Sequence, residues 1–136
     1  MSEQTFGSLG FLNISPSAVS RSLGNTHGSE INNPTSLLMN PANIWQYSNL
    51  KVLYSYQNMS QVDDVNYGNI FIGKKISNNI TIAGGGIYYG VDKIEEYNDL
   101  AQFEGFFSYN SGALLLGISN KIESFHTGLG LNFISE

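Results

Sequence analysis

Phe125-His126-Thr127-Gly128-Leu129-Gly130-Leu131-Asn132-Phe133-Ile134 alternates along its length. In a strand, successive side chains point to opposite faces. Phe125, Leu129, Leu131 and Phe133 therefore share one face, and His126, Gly128, Gly130 and Asn132 share the other. An apolar face backed by small and polar residues is the dyad pattern of a barrel wall in a membrane. A half-buried soluble sheet alternates in the same way, so the neighbouring segments have to decide.

Four more segments rich in Val, Ile, Tyr and Phe precede this one, near 50–59, 66–76, 80–91 and 110–121. Each has about the ~9–11 residues that a tilted strand needs to cross a bilayer, whereas soluble strands run nearer ~5–6. In the first, Leu50, Val52, Tyr54 and Tyr56 fall on one face and Lys51, Ser55 and Gln57 on the other, with Leu53 out of pattern. The links alternate in length. Ser77-Asn78-Asn79 and Glu123-Ser124 are tight, Asn58 to Asp64 is intermediate, and Asp92 to Tyr109 is long. Short turns on one side and long loops on the other are a feature of outer-membrane barrels. Asp63, Asp64, Asp92, Glu95, Glu96, Asp99 and Glu104 collect in the longer links, as water-exposed loops would have them.

Residues 1–49 read differently. They are rich in Ser, Asn, Gly and Pro and lack strand periodicity. Ser36 to Asn40 suits one or two helical turns before Pro41. Trp45 and Tyr47 read either as membrane-interface anchors or as a buried aromatic pair.

Composition supports an unusual environment. Charged residues make up 12% of the 136-residue chain, about half the ordinary share of ~25%. Polarity therefore comes from Asn, Ser, Gln and Gly. The six Lys and Arg residues are scattered, so no basic stripe for nucleic acid exists. Zero Cys removes disulfides and thiolate metal sites. His27 and His126 are isolated, and the acidic group Asp92, Glu95, Glu96 and Asp99 does not follow the calcium-loop pattern. Gly84-Gly85-Gly86 and Gly90 lack the spacing of a nucleotide loop and read as strand glycines. No nucleophile, base and orienter stand together. The chain reads as neither an enzyme nor a cofactor or metal carrier. No apolar run reaches the ~18 residues of a membrane helix, and Met1-Ser2-Glu3-Gln4 does not open a secretory signal.

Phe11-Leu12-Asn13-Ile14-Ser15-Pro16-Ser17-Ala18, then Leu23-Gly24-Asn25, then Asn40-Pro41-Ala42 resembles the N-terminus of PorV/PorQ-type proteins, relatives of FadL-like outer-membrane barrels. Phe107-Ser108 and Asn110 before Ala113-Leu114-Leu115-Leu116-Gly117, and Gly130-Leu131-Asn132-Phe133-Ile134, are similar to later segments of that family. The chain departs from the family pattern at Val19-Ser20, Asn43-Ile44 and Asn132. The resemblance implies a barrel of roughly fourteen strands, within the range of roughly 8 to 26 known for such barrels. It also implies a role in type IX protein secretion or in passage of hydrophobic molecules. The implied partners are outer-membrane lipid and secretion components or exported cargo.

The sequence thus predicts an all-β chain: an antiparallel meander over 50–136, forming a partial, unclosed outer-membrane β-barrel, preceded by an irregular, short-helical, plug-like segment over 1–49. Asn40, Pro41 and Ala42 are expected to form a structural turn, and the chain is expected to be the first part of a larger barrel. The alternative is a small soluble lipid-binding β-barrel, which needs more than the five strands that can be counted.

Overall fold

The computed structural model describes residues 10–22, 24, 33–46, 50–59 and 64–135. The five expected segments pair as one antiparallel sheet in the order β1-β2-β3-β4-β5. These are β1 (Lys51–Met59), β2 (Val65–Lys75), β3 (Ile80–Tyr97), β4 (Phe103–Ile122) and β5 (Phe125–Ser135). The sheet is an unclosed meander. Among the described residues, β1 and β5 each have a single strand partner.

The tight links behave as expected. Ile80 O accepts from the Ile76 and Ser77 N–H groups at 2.9 and 3.2 Å, and the Ser77 hydroxyl oxygen accepts from the Ile80 N–H at 3.1 Å. Glu123, at φ 52, makes the other reversal with Ser124.

The long link is a correction. β3 and β4 do not stop near 91 and 110. They continue as a two-stranded ribbon, Ile94 opposite Phe107 and Tyr97 opposite Phe103, and reverse only at 98–102. A register shift separates Val91 from Ile94, where Lys93 takes φ 58. The reason is physical. Beyond the sheet, both faces of the ribbon meet water, so no apolar alternation is needed and charges occupy both sides. Aromatics hold it instead: Phe103 packs edge-on against Tyr97 across the ribbon and against Phe106 on its own strand, with centroids 5.9 and 5.0 Å apart.

Leu53 is a second correction. It does not break the alternation but belongs to the other face, where it packs against the core. That face is covered by the N-terminal segment. Two 3-10 helices, Gly10–Asn13 and Pro41–Gln46, and two short helices, α1 (Ala18–Ser22) and α2 (Ser36–Met39), make up the regular part of this cover. Phe11, Leu37 and Ile44 bring apolar side chains down onto Tyr67, Phe71, Ala83, Ile87, Ala113 and Leu115 of the sheet. Tyr67, Phe71 and Leu115 have 0% of their surface exposed.

Candidate functional site: two faces and two ends of the sheet

The covered face explains why polar residues alternate through the strands. The helices of the N-terminal cover are only four to six residues long, which leaves most of their carbonyls without an intrahelical partner, so these need partners from elsewhere once buried. Strand side chains supply them. The Tyr67 hydroxyl donates to the Ile14 carbonyl at 3.1 Å and the Asn69 amide donates to Pro16 O at 3.1 Å. Thr81 donates to Trp45 O at 3.5 Å and Ser119 to Ala42 O at 3.3 Å. At the edge of the cover the Arg21 guanidinium donates to the Gln57 side chain, tying α1 to β1. Tyr67→Phe removes the donor to Ile14 and leaves a buried carbonyl. The expected cost is roughly 1–2 kcal/mol, read as a lower denaturation midpoint in detergent micelles; an unchanged midpoint would mean that this carbonyl is solvated.

Asn40, Pro41 and Ala42 sit at the centre of this contact. The Asn40 N–H donates to Ser36 O at 2.7 Å and ends α2, and the Asn40 side chain accepts from the Ala42 N–H at 3.1 Å. Pro41 then starts the 3-10 helix, where its missing N–H costs nothing. This turn lies directly on β5. A Cβ added at Gly128 would lie 2.3 Å from the Ala42 nitrogen, and one at Gly130 would lie 2.8 Å from Pro41 Cγ. Leu37 fills the corresponding space above Gly117. The glycines of the motif-bearing strands are therefore seats for the cover.

Trp45 belongs to the covered face. It stacks on His126 with ring centroids 3.9 Å apart, and the Lys121 ammonium stands 4.8 Å from its ring. Its ring partner is an imidazole from β5. Tyr47 lies outside the described residues, as do Leu23, Asn25, His27 and Asp63. Sequence reading did not single out the Trp45–His126 stack, because no local spacing signals a contact between residues so far apart.

The other face is open. Val52, Tyr54 and Tyr56 of β1, Ile70 and Ile72 of β2, Ile80, Ile82 and Tyr88 of β3, Leu114, Leu116 and Ile118 of β4, and Leu129, Leu131 and Phe133 of β5 are all exposed there. The register aligns them in rows across the sheet. Tyr54, Ile70, Gly86, Leu114 and Phe133 form one row, and Val52, Ile72, Gly84, Leu116 and Leu131 the next. Tyr54 is 71% exposed and Leu131 54%, values that ordinary soluble cores do not leave in contiguous groups. From Ile80 to Tyr88 the band runs roughly 26 Å along the strand, or roughly 20 Å after a 35–45° tilt, near the ~25 Å apolar height of a membrane barrel.

A polar row closes the band at one end. Asn58, Asn66, Gly90 and Asn110 are aligned across β1 to β4. Tyr56 and Tyr88 donate their hydroxyls to Asn66 and Asn110, each at 2.7 Å, and the Asn58 amide also donates to Asn66 at 2.7 Å. The rings lie over the apolar band while the hydroxyls reach the polar row, the orientation of aromatic residues at a membrane–water boundary.

Charge is segregated along the strands. Beyond the asparagine row stand Asp64, Asp92, Glu95, Glu96, Asp99 and Glu104, with Lys93 among them. Lys93 pairs with Asp64 at 2.9 Å, and that hydrogen bond and the Asp64 charge hold its pKa above the ordinary lysine value. Tyr97 is likewise shifted upward, chiefly by donating to the Glu95 carboxylate at 2.5 Å. At the opposite end, with the tight turns, stand Lys51, Lys74, Lys75 and Lys121; the described acid there is Glu123.

Among the described residues no group of three or more His, Asp or Glu is placed to hold a metal ion, and no helix is long and apolar enough to cross a membrane. No family model matches the chain, and no curated protein or solved structure matches it either.

Proposed function

We propose that the five strands are part of the wall of an outer-membrane-type β-barrel, with the open face toward lipid and the N-terminal segment on the lumen side as a plug. One observation carries this reading: a five-strand face of aligned apolar side chains, bounded by a tyrosine–asparagine row, lies opposite a face whose polar groups bond the N-terminal cover. In lipid, every strand edge needs a partner. The reading therefore requires further strands beside β1 and β5. The resemblance in Phe11 to Ala18 and in Asn40-Pro41-Ala42 extends the proposal to a PorV/PorQ-type barrel serving protein secretion or the passage of hydrophobic molecules.

The absence of Cys makes the test clean. Single cysteines at Leu116 and Leu131, on the open face, and at Glu104, on the ribbon, can each carry a fluorophore in chain reconstituted into vesicles. Lipid-borne quenchers are expected to reach the first two labels and a water-soluble quencher the third. Strong aqueous quenching at Leu116 would defeat the reading. Leu116→Arg places a charge near mid-band, and an insertion penalty of about 2–4 kcal/mol is expected, measured as a shift of the folding equilibrium between urea and vesicles.

A further inference from the structure

We propose that one side of the β3–β4 ribbon is a docking surface for a cationic polypeptide segment that also carries apolar side chains. Tyr97, Phe103 and Phe106 form its apolar ground, and the carboxylates of Glu95, Asp99 and Glu104 supply its charge. The inference goes beyond the membrane reading and uses it only to exclude lipid as the occupant.

A register shift builds the aromatic cluster. Phe103 and Phe106 are three residues apart on β4 and would point to opposite sides of a regular strand. Glu96 pairs with Gly105 and Tyr97 with Phe103, so Glu104 is left over and Phe103 turns to the side of Phe106. There the Phe103 ring meets Phe106 and Tyr97 at 67° and 71°. The Tyr97 hydroxyl donates to the Glu95 carboxylate, which places an acid on the same side. All three rings are more than half exposed. Apolar side chains scattered singly need no explanation, but rings grouped on a projecting ribbon mark a contact surface.

Charge selects the occupant. The ribbon carries Asp92, Glu95, Glu96, Asp99 and Glu104 against a single Lys93, and Lys93 is engaged by Asp64. Among the described residues Glu95, Glu96, Asp99 and Glu104 form no ion pair. A ring with a carboxylate beside it suits Lys or Arg, whose stem lies on the apolar surface while its charged head meets the acid. A sugar would want a flat aromatic platform, which three edge-on rings do not offer.

Lipid and a second copy of the chain fit less well. Phe106 lies four residues before Asn110 on the same face of β4. With the strand tilt this puts Phe106 roughly 10 Å, and Phe103 roughly 18 Å, beyond the asparagine row. A headgroup layer is only about 5–8 Å deep. A second copy in the same orientation brings another acidic ribbon. The other cations of the chain are Lys51, Lys74, Lys75 and Lys121 at the opposite end and Arg21, which is bonded to Gln57.

The test uses the full chain in zwitterionic micelles, with empty micelles as the blank, and fluorescent peptides read by anisotropy. A peptide of Arg-Gly-Leu-Gly repeats supplies both charge and apolar side chains. Arg-Gly-Ser-Gly repeats supply the charge alone, and Glu-Gly-Leu-Gly repeats reverse it. The first peptide is expected to bind at least about tenfold tighter than either control, and F103S/F106S to weaken it by about tenfold, as loss of aromatic anchors does. E95Q/E104Q leaves the rings in place and is expected to weaken binding about fivefold at low salt and less at high salt. E123Q removes a carboxylate at the other end of the sheet and is expected to change nothing. Equal binding of the Arg-Gly-Ser-Gly peptide would mean diffuse charge alone and overturns the docking surface. So do unchanged binding by F103S/F106S and no binding of the first peptide. A label on a cysteine at Phe106 that lipid-borne quenchers reach in vesicles would make the rings a membrane anchor, and overturns it as well. The membrane reading is judged separately, at Leu116: a chain that binds the peptide while Leu116 meets water keeps the docking surface and loses the membrane wall.

Discussion

Gly128→Val is expected to expel the Pro41–Gln46 turn from the sheet. The new side chain has nowhere to go: the first added carbon alone would lie 2.3 Å from the Ala42 nitrogen and 2.4 Å from the Pro41 carbonyl carbon. Both are backbone atoms, so relief requires the turn to move as a unit. Overpacking of a well-filled site costs roughly 1–3 kcal/mol. Here the movement would also release the Ser119–Ala42 hydrogen bond and the Trp45–His126 stack. Trp45 is the single Trp of the chain, so its emission reports this contact alone. The variant is expected to shift that emission to the red and to speed tryptic cleavage after Arg21, whose α1 belongs to the same cover. Gly84→Ala is the control. Its Cβ would meet Leu116 Cδ2 at 3.5 Å, an ordinary contact on the open face, and neither signal should change. Unshifted emission and unchanged cleavage in Gly128→Val would mean that the cover is held elsewhere.

Much of the sheet can be read directly in the sequence, because its two faces have different surroundings. Where one face is covered and the other is apolar and open, alternation is enforced, and β5 shows it plainly: Phe125, Leu129, Leu131 and Phe133 stand on the open side and Gly128 and Gly130 under the turn. The ribbon beyond Val91 is illegible for the opposite reason. Both of its faces meet water, so Asp92, Glu95, Glu96 and Glu104 look like loop residues although Glu95 and Glu96 are paired with Phe106 and Gly105. Leu53 falls out of the pattern in β1 because it belongs to the covered face, where it stands opposite Phe71 and packs against the core. The roles of Tyr67, Asn69, Thr81 and Ser119 were hidden for a different reason. Each donates to a carbonyl at least 36 residues away, and a carbonyl leaves no mark in a sequence. The Asn40-Pro41-Ala42 turn could be located in advance because Pro and Asn act on their own backbone. Its seat on Gly128 and Gly130 could not.

In buffer without detergent, the 136-residue chain is expected to self-associate, and in micelles to run as one small β-rich species. Two properties of the sheet drive this. Its open face measures roughly 20 Å across five strands and 26 Å along them, or roughly 500 Å² even in flat projection, at the upper end of what monomers expose. Lys74 is the one charge inside that outline. In addition, β1 and β5 each present a long edge without a described partner, and such edges template further pairing. The direction of the strands constrains how copies can join. With five strands in a meander, β1 and β5 run the same way. A second copy in the same orientation can meet β5 only through a parallel β1, while antiparallel β5–β5 pairing turns that copy upside down. In water both modes are open, so a broad distribution of sizes is expected in sedimentation velocity. In a bilayer the inverted copy would put the acidic ribbon of one chain and the lysine end of the other at the same surface, so mixed orientations should disappear on reconstitution. Proteolysis from outside sealed vesicles would then cut the ribbon at 98–102 in either all or none of the chains. A sharp monomer boundary with cooperative melting in plain buffer would instead mean that the apolar face finds cover within a single chain, the behaviour of a soluble lipid-binding barrel.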